Sequence, residues 1–215
     1  GFTLGTGFGC GIVHDGELIV GDNSNAGEVW IMRDVLNSER NVEESVSIRA
    51  VQTNYQTMAT EERKLSPKMI YEIARGKRKG DRKAAQKAFR RLGESLGEVV
   101  VTVATLIDGL IVIGGGVSGA GDIILPTVLE VMNGKFSAKG GELSRLVTDN
   151  FNLENDQQLA EFIAGDSKFI TIPESNEKIK YDPKKRIGVG ISKVGTSKAI
   201  SAGAYAFALN ELDRG

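Results

Sequence analysis

The sequence predicts an α/β layered domain, and three stretches carry that prediction. A glycine-dense start from Phe2 to Val20 alternates small and apolar residues around an Asp15-Gly16 pair. A long helical stripe then runs straight into a β-branched strand, three consecutive glycines and another helix between Asp81 and Met132, and a last strand and helix follow Lys185. Strands that alternate with helices put a ligand beyond the carboxyl ends of the strands, which is where this chain keeps its glycines. With 27 Gly against 4 Pro in 215 residues, the backbone repeatedly takes positive φ or approaches something closely. An apolar share of 40% and a charged share of 26% belong to a chain with a real core and exclude collagen-like, disordered and coiled-coil classes.

Taken in order, Phe2 to Val20 reads as two or three short antiparallel strands turning at His14-Asp15-Gly16. Asn23 to Arg49, which holds Glu28, Trp30, Glu43 and Glu44, keeps no steady period, and its middle reads as loop. Ser66 and Pro67 open a helix, as cap and first helical residue, that ends near Arg75-Gly76. The next helix begins near Asp81 and places Phe89, Leu92, Leu96, Val99 or Val100, Val103 and Ile107 at steps of three and four, the stripe of a central buried helix. Gly109 to Val117 is a strand ending in glycines, and Ile123 to Met132 is the helix after it. From Gly134 to Asp182 the pattern weakens, with a strand at Phe169 to Ile172 and polar connections around Pro173 and Pro183. Lys185 to Ile191 is the last strand. Thr196 to Leu212 is the final helix, with Ala199, Ile200, Gly203, Ala204, Phe207 and Ala208 on one apolar face.

Charge names no macromolecular partner. Lys plus Arg at 27 against Asp plus Glu at 28 gives a formal charge of -1, so no global field gathers nucleic acid or anionic lipid. The basic cluster Lys77 to Lys83, with Arg90 and Arg91, lacks interleaved aromatics and reads as a solvated helix junction. Cys10 is the lone cysteine, no secretory leader pattern is visible, and the longest apolar runs fall far short of the roughly 20 residues of a membrane span. A cytoplasmic protein with no nucleic-acid or membrane partner is the expectation.

Two glycine tracts carry the chemistry. Leu4 to Gly11, LGTGFGCG, sits at a strand-to-strand hairpin, where backbone N–H groups converge and the Thr6 hydroxyl can add a donor to a phosphate oxygen; a hairpin that merely bends a sheet is the other reading. It matches neither a P-loop, which needs Gly-Lys-Ser or Gly-Lys-Thr, nor a dinucleotide fingerprint, which needs a helix at once. Asp108 to Gly116 leaves a strand through three glycines directly before a helix, a turn on which a flat purine or ribose can lie against bare backbone, or one that serves tight helix-on-sheet packing.

These residues carry a resemblance. LGTGFGCGIVHDGELIVGDNSNAGE, from Leu4 to Glu28, resembles the second phosphate loop of the ROK family (repressor, open reading frame, kinase), usually LGTGIGGG, a hairpin and then AGE. DGLIVIGGGVSGAGDIILP is similar to that family's adenosine motif, and Ser201-Ala202-Gly203-Ala204 falls where its closing small-residue helix would be. The three motifs occur in family order over nearly the whole chain. The resemblance implies a ribonuclease H-like (actin-like ATPase) domain, a mixed sheet flanked by helices, in an ATP- and Mg²⁺-dependent kinase of a hexose or amino sugar. It implies nucleotide phosphates near Gly5, Thr6 and Gly7, adenosine near Gly114, Gly115 and Gly116, and sugar hydroxyls on Glu28 and Glu43. A homodimer is implied on the same ground.

The departures are informative too. Family members commonly continue AGE into a glycine and a histidine and then a cysteine-rich zinc motif; here Trp30 and Ile31 stand at those two positions and no cysteine follows. Cys10 and His14 cannot complete a four-ligand site, so structural zinc is not expected. Trp30 either stacks on a sugar face or sits in the core, the usual place for a tryptophan. The family's first phosphate loop and its catalytic aspartate precede the LGTG hairpin, and neither Asp22 to Asn25 nor Asp149-Asn150 makes a convincing substitute base. The expectation is that residues 1–215 are the C-terminal lobe of a longer kinase, with the N-terminal lobe and the catalytic aspartate upstream, so that the chain alone turns over little or nothing. The family also includes repressors with a helix-turn-helix ahead of the same core, which makes a sugar-sensing regulator the alternative.

Overall fold

Phe2 and Leu4 are buried on either side of exposed Thr3, the alternation of a strand with one face on the core. They form β1 (Phe2–Leu4), which pairs antiparallel with β2 (Phe8–Cys10) and parallel with β5 (Ile111–Gly114). Beyond β5 lie β11 (Arg186–Ile191) and then β8 (Asp149–Asn152), both parallel, so the main sheet is five-stranded with order β2-β1-β5-β11-β8. This is a computed structural model, and it describes residues 1–214. Three separate hairpins complete the strands: β3 (Ile12–His14) with β4 (Glu17–Ile19), β6 (Lys135–Ala138) with β7 (Gly141–Ser144), and β9 (Lys168–Thr171) with β10 (Lys178–Tyr181). The first turns at Asp15 and Gly16 with φ of 50° and 81°, the doubly positive geometry that an Asp-Gly pair supplies.

The helices are α1 (Ile48–Ala59), α2 (Pro67–Ala74), α3 (Arg82–Ile107), α4 (Gly121–Met132), α5 (Asp156–Ala164) and α6 (Thr196–Arg214). Their starts follow the capping residues: the Ser66 hydroxyl accepts from Met69 N–H at 3.3 Å with Pro67 first in α2, and the Asp81 carboxylate accepts from Ala84 N–H at 3.0 Å ahead of α3. α3 is the central helix expected from its stripe. Phe89, Leu92, Leu96, Val99 and Val100 are buried along it, and it packs against α1, α2 and α4.

The α3–α4 contact depends on two glycines one helical turn apart. A Cβ on Gly93 would lie 2.8 Å from Thr127 Cβ, and one on Gly97 would lie 2.7 Å from Val131 Cβ, so the backbones approach more closely than any side chain allows.

Three regions differ from the expectation. α1 carries no clear signal in the sequence, because its buried residues, Ala50, Val51 and Tyr55, are a thin stripe interrupted by polar ones. β8, β6, β7 and α5 lie in the weakly patterned stretch; β8 is in the main sheet, yet its sequence Asp-Asn-Phe-Asn holds one apolar residue. α6 forms as expected but buries no apolar face: residues 196–213 are exposed, with Ile200 at 66% and Phe207 at 53%. Its apolar residues are spread around the helix, with Tyr205, Leu209 and Leu212 lying off the expected stripe, so no single face drives it onto the sheet.

Two outcomes follow from this packing. Gly97→Val should lower stability by about 1–3 kcal/mol by forcing α3 off α4, read as a lower urea midpoint at unchanged m-value. In hydrogen exchange of the 215-residue chain, α6 amides should be the least protected among the α-helices of the described residues and those of α3 the most.

Candidate functional site

The parallel pairing of β1 with β5 sets Phe2 opposite Ile113 and Thr3 opposite Gly114, so the turns that follow both strands leave the sheet at one edge. They touch there. Gly115 has φ of +92°, and a Cβ on it would lie 2.3 Å from the Leu4 carbonyl oxygen and 2.6 Å from Leu4 N, space that only glycine leaves open. Val117 N–H donates to the same Leu4 carbonyl at 3.1 Å. The expected residues Gly5, Thr6 and Gly7 thus sit beside Gly114, Gly115 and Gly116, although about 110 residues separate the tracts. Thr6 is exposed, and nothing lies within 4 Å of a Cβ built on Gly116.

The first turn is held from behind. Ile48 N–H, at the start of α1, donates to the Gly5 carbonyl at 2.8 Å. Glu43, in the helical turn Val42–Glu44, accepts from Phe8 N–H at 3.0 Å through Oε2, and that oxygen lies 2.7 Å from where a Gly7 Cβ would be. Glu43 is therefore brought to the base of the glycine turn, with the Arg49 guanidinium 4.0 Å from its other oxygen.

Beside the second turn opens a slot of 320 Å³ with Pro67, Lys68 and Tyr71 of α2 and Phe89 of α3 on one side and Gly116, Val117, Gly119 and Ala120 on the other. The Tyr71 ring stands edge-on to Phe89 with centroids 6.2 Å apart. Burial, and then a hydrogen bond to Asp122, push the Tyr71 phenol above its usual range, while Arg75 pairs with Asp122 at 3.1 Å. An aromatic wall facing bare backbone suits a flat ring. Ser66 and Pro67 announce α2 as a helix, but nothing in the sequence ties Pro67, Lys68 and Tyr71 to glycines some 45 residues later; the packing of α2 on α3 does that. A second cleft of 600 Å³ lies on the other flank, between Thr3, Gly114, Gly115, Ser118, Ser192 and the first residues of α6.

Glu28 faces elsewhere, onto an apolar cleft of 480 Å³ shared with Trp30, Met32, Thr102 and Ile107. The Trp30 indole N–H donates to Glu28 Oε2. Trp30 is 37% exposed, so the core placement is corrected: the short helical turn Val29–Ile31 buries Val29 and leaves the indole over the cleft. Asn150 is buried and committed to Asn133 and Thr148, while Asp22 to Asn25 are exposed in the loop after the first hairpin. Among the described residues no group of three or more His, Cys, Asp or Glu is placed to hold a metal ion.

Comparison with known proteins follows the same motifs. The ROK family model matches residues 1–142. The structure is similar to that of glucokinase from Parabacteroides distasonis at 47% identity and a TM-score of 0.89, over 97% of this chain and 57% of that one. A ROK family glucokinase from Streptomyces griseus, solved with glucose and AMPPNP, is 26% identical with a TM-score of 0.54, over 61% of this chain and 48% of that one. A ROK family transcriptional regulator, a homologue of the E. coli MLC protein, shares the fold at 22% identity and a TM-score of 0.51, over 60% of this chain and 36% of its own. The chain thus spans little more than half the length of the Parabacteroides protein and less of the other two. Comparison with the curated proteins gives no match. The mixed sheet flanked by helices is the actin-like ATPase fold of these kinases, and with the family model spanning both glycine turns and the helices between them, the chain belongs to the ROK family.

Proposed function

We propose that this chain forms the nucleotide site and part of the sugar site of an ATP-dependent hexose or amino-sugar kinase. The observation that carries the reading is the contact between the two glycine turns at Leu4 and Gly115, which makes one continuous backbone surface from a phosphate-type turn to an adenosine-type slot. The similarity to glucokinases, one of them solved with glucose and AMPPNP, supports it.

The residues fit a nucleotide. Tyr71 and Pro67 offer flat and apolar surface to the base, Lys68 brings a cation to the slot, Gly116 and Gly119 leave open backbone, and Thr6 adds a hydroxyl. ATP, when bound, supplies the phosphoryl group that passes to a sugar hydroxyl. The Gly5–Gly7 turn is closed by Gly5 N–H donating to the Gly7 carbonyl at 3.0 Å, which leaves the Thr6 and Gly7 N–H groups for that end of the ligand, and Glu43 keeps the turn in shape from below by accepting from Phe8 N–H. Glu28 and Glu43 accept hydrogen bonds from sugar hydroxyls, an arrangement that discriminates strongly because a missing hydroxyl leaves a carboxylate unmatched. Mg²⁺ travels with the nucleotide in this reading, since the described residues present no cluster of three or more His, Cys, Asp or Glu for it. In this reading the base that orients the attacking hydroxyl belongs to a part of a longer kinase outside these residues; this chain covers 57% of the Parabacteroides glucokinase, which has length for such a part.

Two measurements check the reading. Mg-AMPPNP should raise the melting temperature of the chain, and Gly116→Val, which the fold has room for, should abolish that rise while leaving ligand-free melting unchanged; an equal rise in both proteins would contradict the reading. In the longer kinase, Glu28→Gln and Glu43→Gln should each raise the sugar KM by about 10- to 100-fold, the equivalent of one charged hydrogen bond; the nucleotide KM should stay nearly constant in Glu28→Gln and rise in Glu43→Gln, whose carboxylate also holds the phosphate-type turn.

A further inference from the structure

Asp34 is fully buried, and its carboxylate is matched on both oxygens. Ser45 Oγ–H donates to Oδ2 at 2.5 Å, Ser95 Oγ–H to Oδ1 at 2.8 Å and Leu36 N–H to Oδ1 at 3.1 Å. A carboxylate taken out of water is tolerated only when it is so satisfied, and removing it leaves the buried Ser95 hydroxyl and the half-buried Ser45 hydroxyl without this acceptor. The three donors come from three places: its own loop, the turn that carries Glu43, and the buried middle of α3 between Leu92 and Leu96.

The loop itself is drawn closed around this group. Asp34 N–H donates to the Arg40 carbonyl at 3.0 Å, Val42 N–H donates to the Met32 carbonyl at 2.7 Å, and Arg33 bridges Asn41. Glu28 leads into this loop and Glu43 leaves it. After Glu43 come Ser45, bonded to Asp34, and Ser47, fully buried, whose hydroxyl accepts from Ala50 N–H at 3.3 Å as the cap of α1. α1 in turn holds the Gly5 carbonyl. One polar chain therefore runs from Ser95 through Asp34 and Ser45 to the turn whose Glu43 meets Phe8 N–H.

We propose that Asp34 is a positioning residue: by gripping Ser95 and Ser45 it fixes the Glu43 carboxylate beneath the Gly5–Phe8 turn. Its effect on sugar affinity rests on the kinase reading above, whereas its effect on Glu43 does not. Asn at 34 keeps the volume and one acceptor oxygen but turns an amide toward a hydroxyl, so it preserves the fold while loosening the grip. Ser95→Ala releases the α3 end alone.

The test is the Phe8 amide resonance of the isotope-labelled 215-residue chain, with Glu43→Gln as the reference for a weakened contact. In Asp34→Asn and Ser95→Ala, the Phe8 resonance should move toward its Glu43→Gln position while amides of α4 and β11 stay in place. Asp34→Ala should move it further or prevent folding, and the two milder variants decide the question in either case. A Phe8 resonance unchanged in both, beside a lowered melting temperature, would show Asp34 to be structural only and overturn the proposal. In the longer kinase the same two variants should raise the sugar KM by about tenfold, as misplaced binding groups do, with a smaller rise in nucleotide KM because the turn above Glu43 is loosened too. A shifted Phe8 resonance without that rise would sink the sugar role of Glu43 and leave the positioning role standing.

Discussion

The close crossing of Gly115 under Leu4 is the constraint on which the site depends. β1 and β5 pair over only two residues, Phe2 with Ile113 and Thr3 with Gly114, so the strands alone fix little beyond direction. The turns finish the alignment. Gly115 takes a positive φ that brings its backbone to within contact of Leu4, and Val117 N–H takes the Leu4 carbonyl as it leaves β1. Any side chain at 115 would push the two turns apart, and the phosphate-type and adenosine-type surfaces would become separate features of one sheet edge.

The helices keep that edge in register. α3 runs behind it for 26 residues, pressed onto α4 at Gly93 and Gly97, and α4 follows the second glycine turn after one short helical turn, Ser118–Ala120. Gly121, the first residue of α4, lies close against Ile191 of β11, which couples the turn to the next strand of the sheet. α3 also donates Ser95 to the buried Asp34. One helix therefore supports both sides of the candidate site, the slot beside the second glycine turn through Phe89 and the Glu43 turn through Ser95.

Much of this was legible from residues whose local requirement is strong. Asp15-Gly16 demanded a tight hairpin, Ser66-Pro67 a helix start, and the apolar stripe on α3 a central helix, and each stands where those requirements put it. The glycine tracts pointed to a ligand, and their motif order pointed to the family. What stayed hidden is carried by contacts distant in sequence. Asp34 reads as an ordinary loop aspartate until Ser95, 61 positions away, is folded against it. Tyr71 reads as one more aromatic on an amphipathic helix until the second glycine turn arrives opposite. β8 is buried by its neighbours rather than by its own composition, since Asn150 is satisfied by Asn133 and Thr148. α6 failed in the other direction: its small and apolar residues suggest a packed face, and among the described residues they lie exposed.

The central claim is that two glycine turns, one near the start of the sequence and one near its middle, form one nucleotide surface, and amide chemical-shift mapping tests it most directly. Titrating the labelled chain with Mg-AMPPNP should move the amides of Gly5 to Phe8 and of Gly114 to Val117 together, along curves that give one dissociation constant. Movement of one turn without the other, or separate dissociation constants for the two, would contradict it.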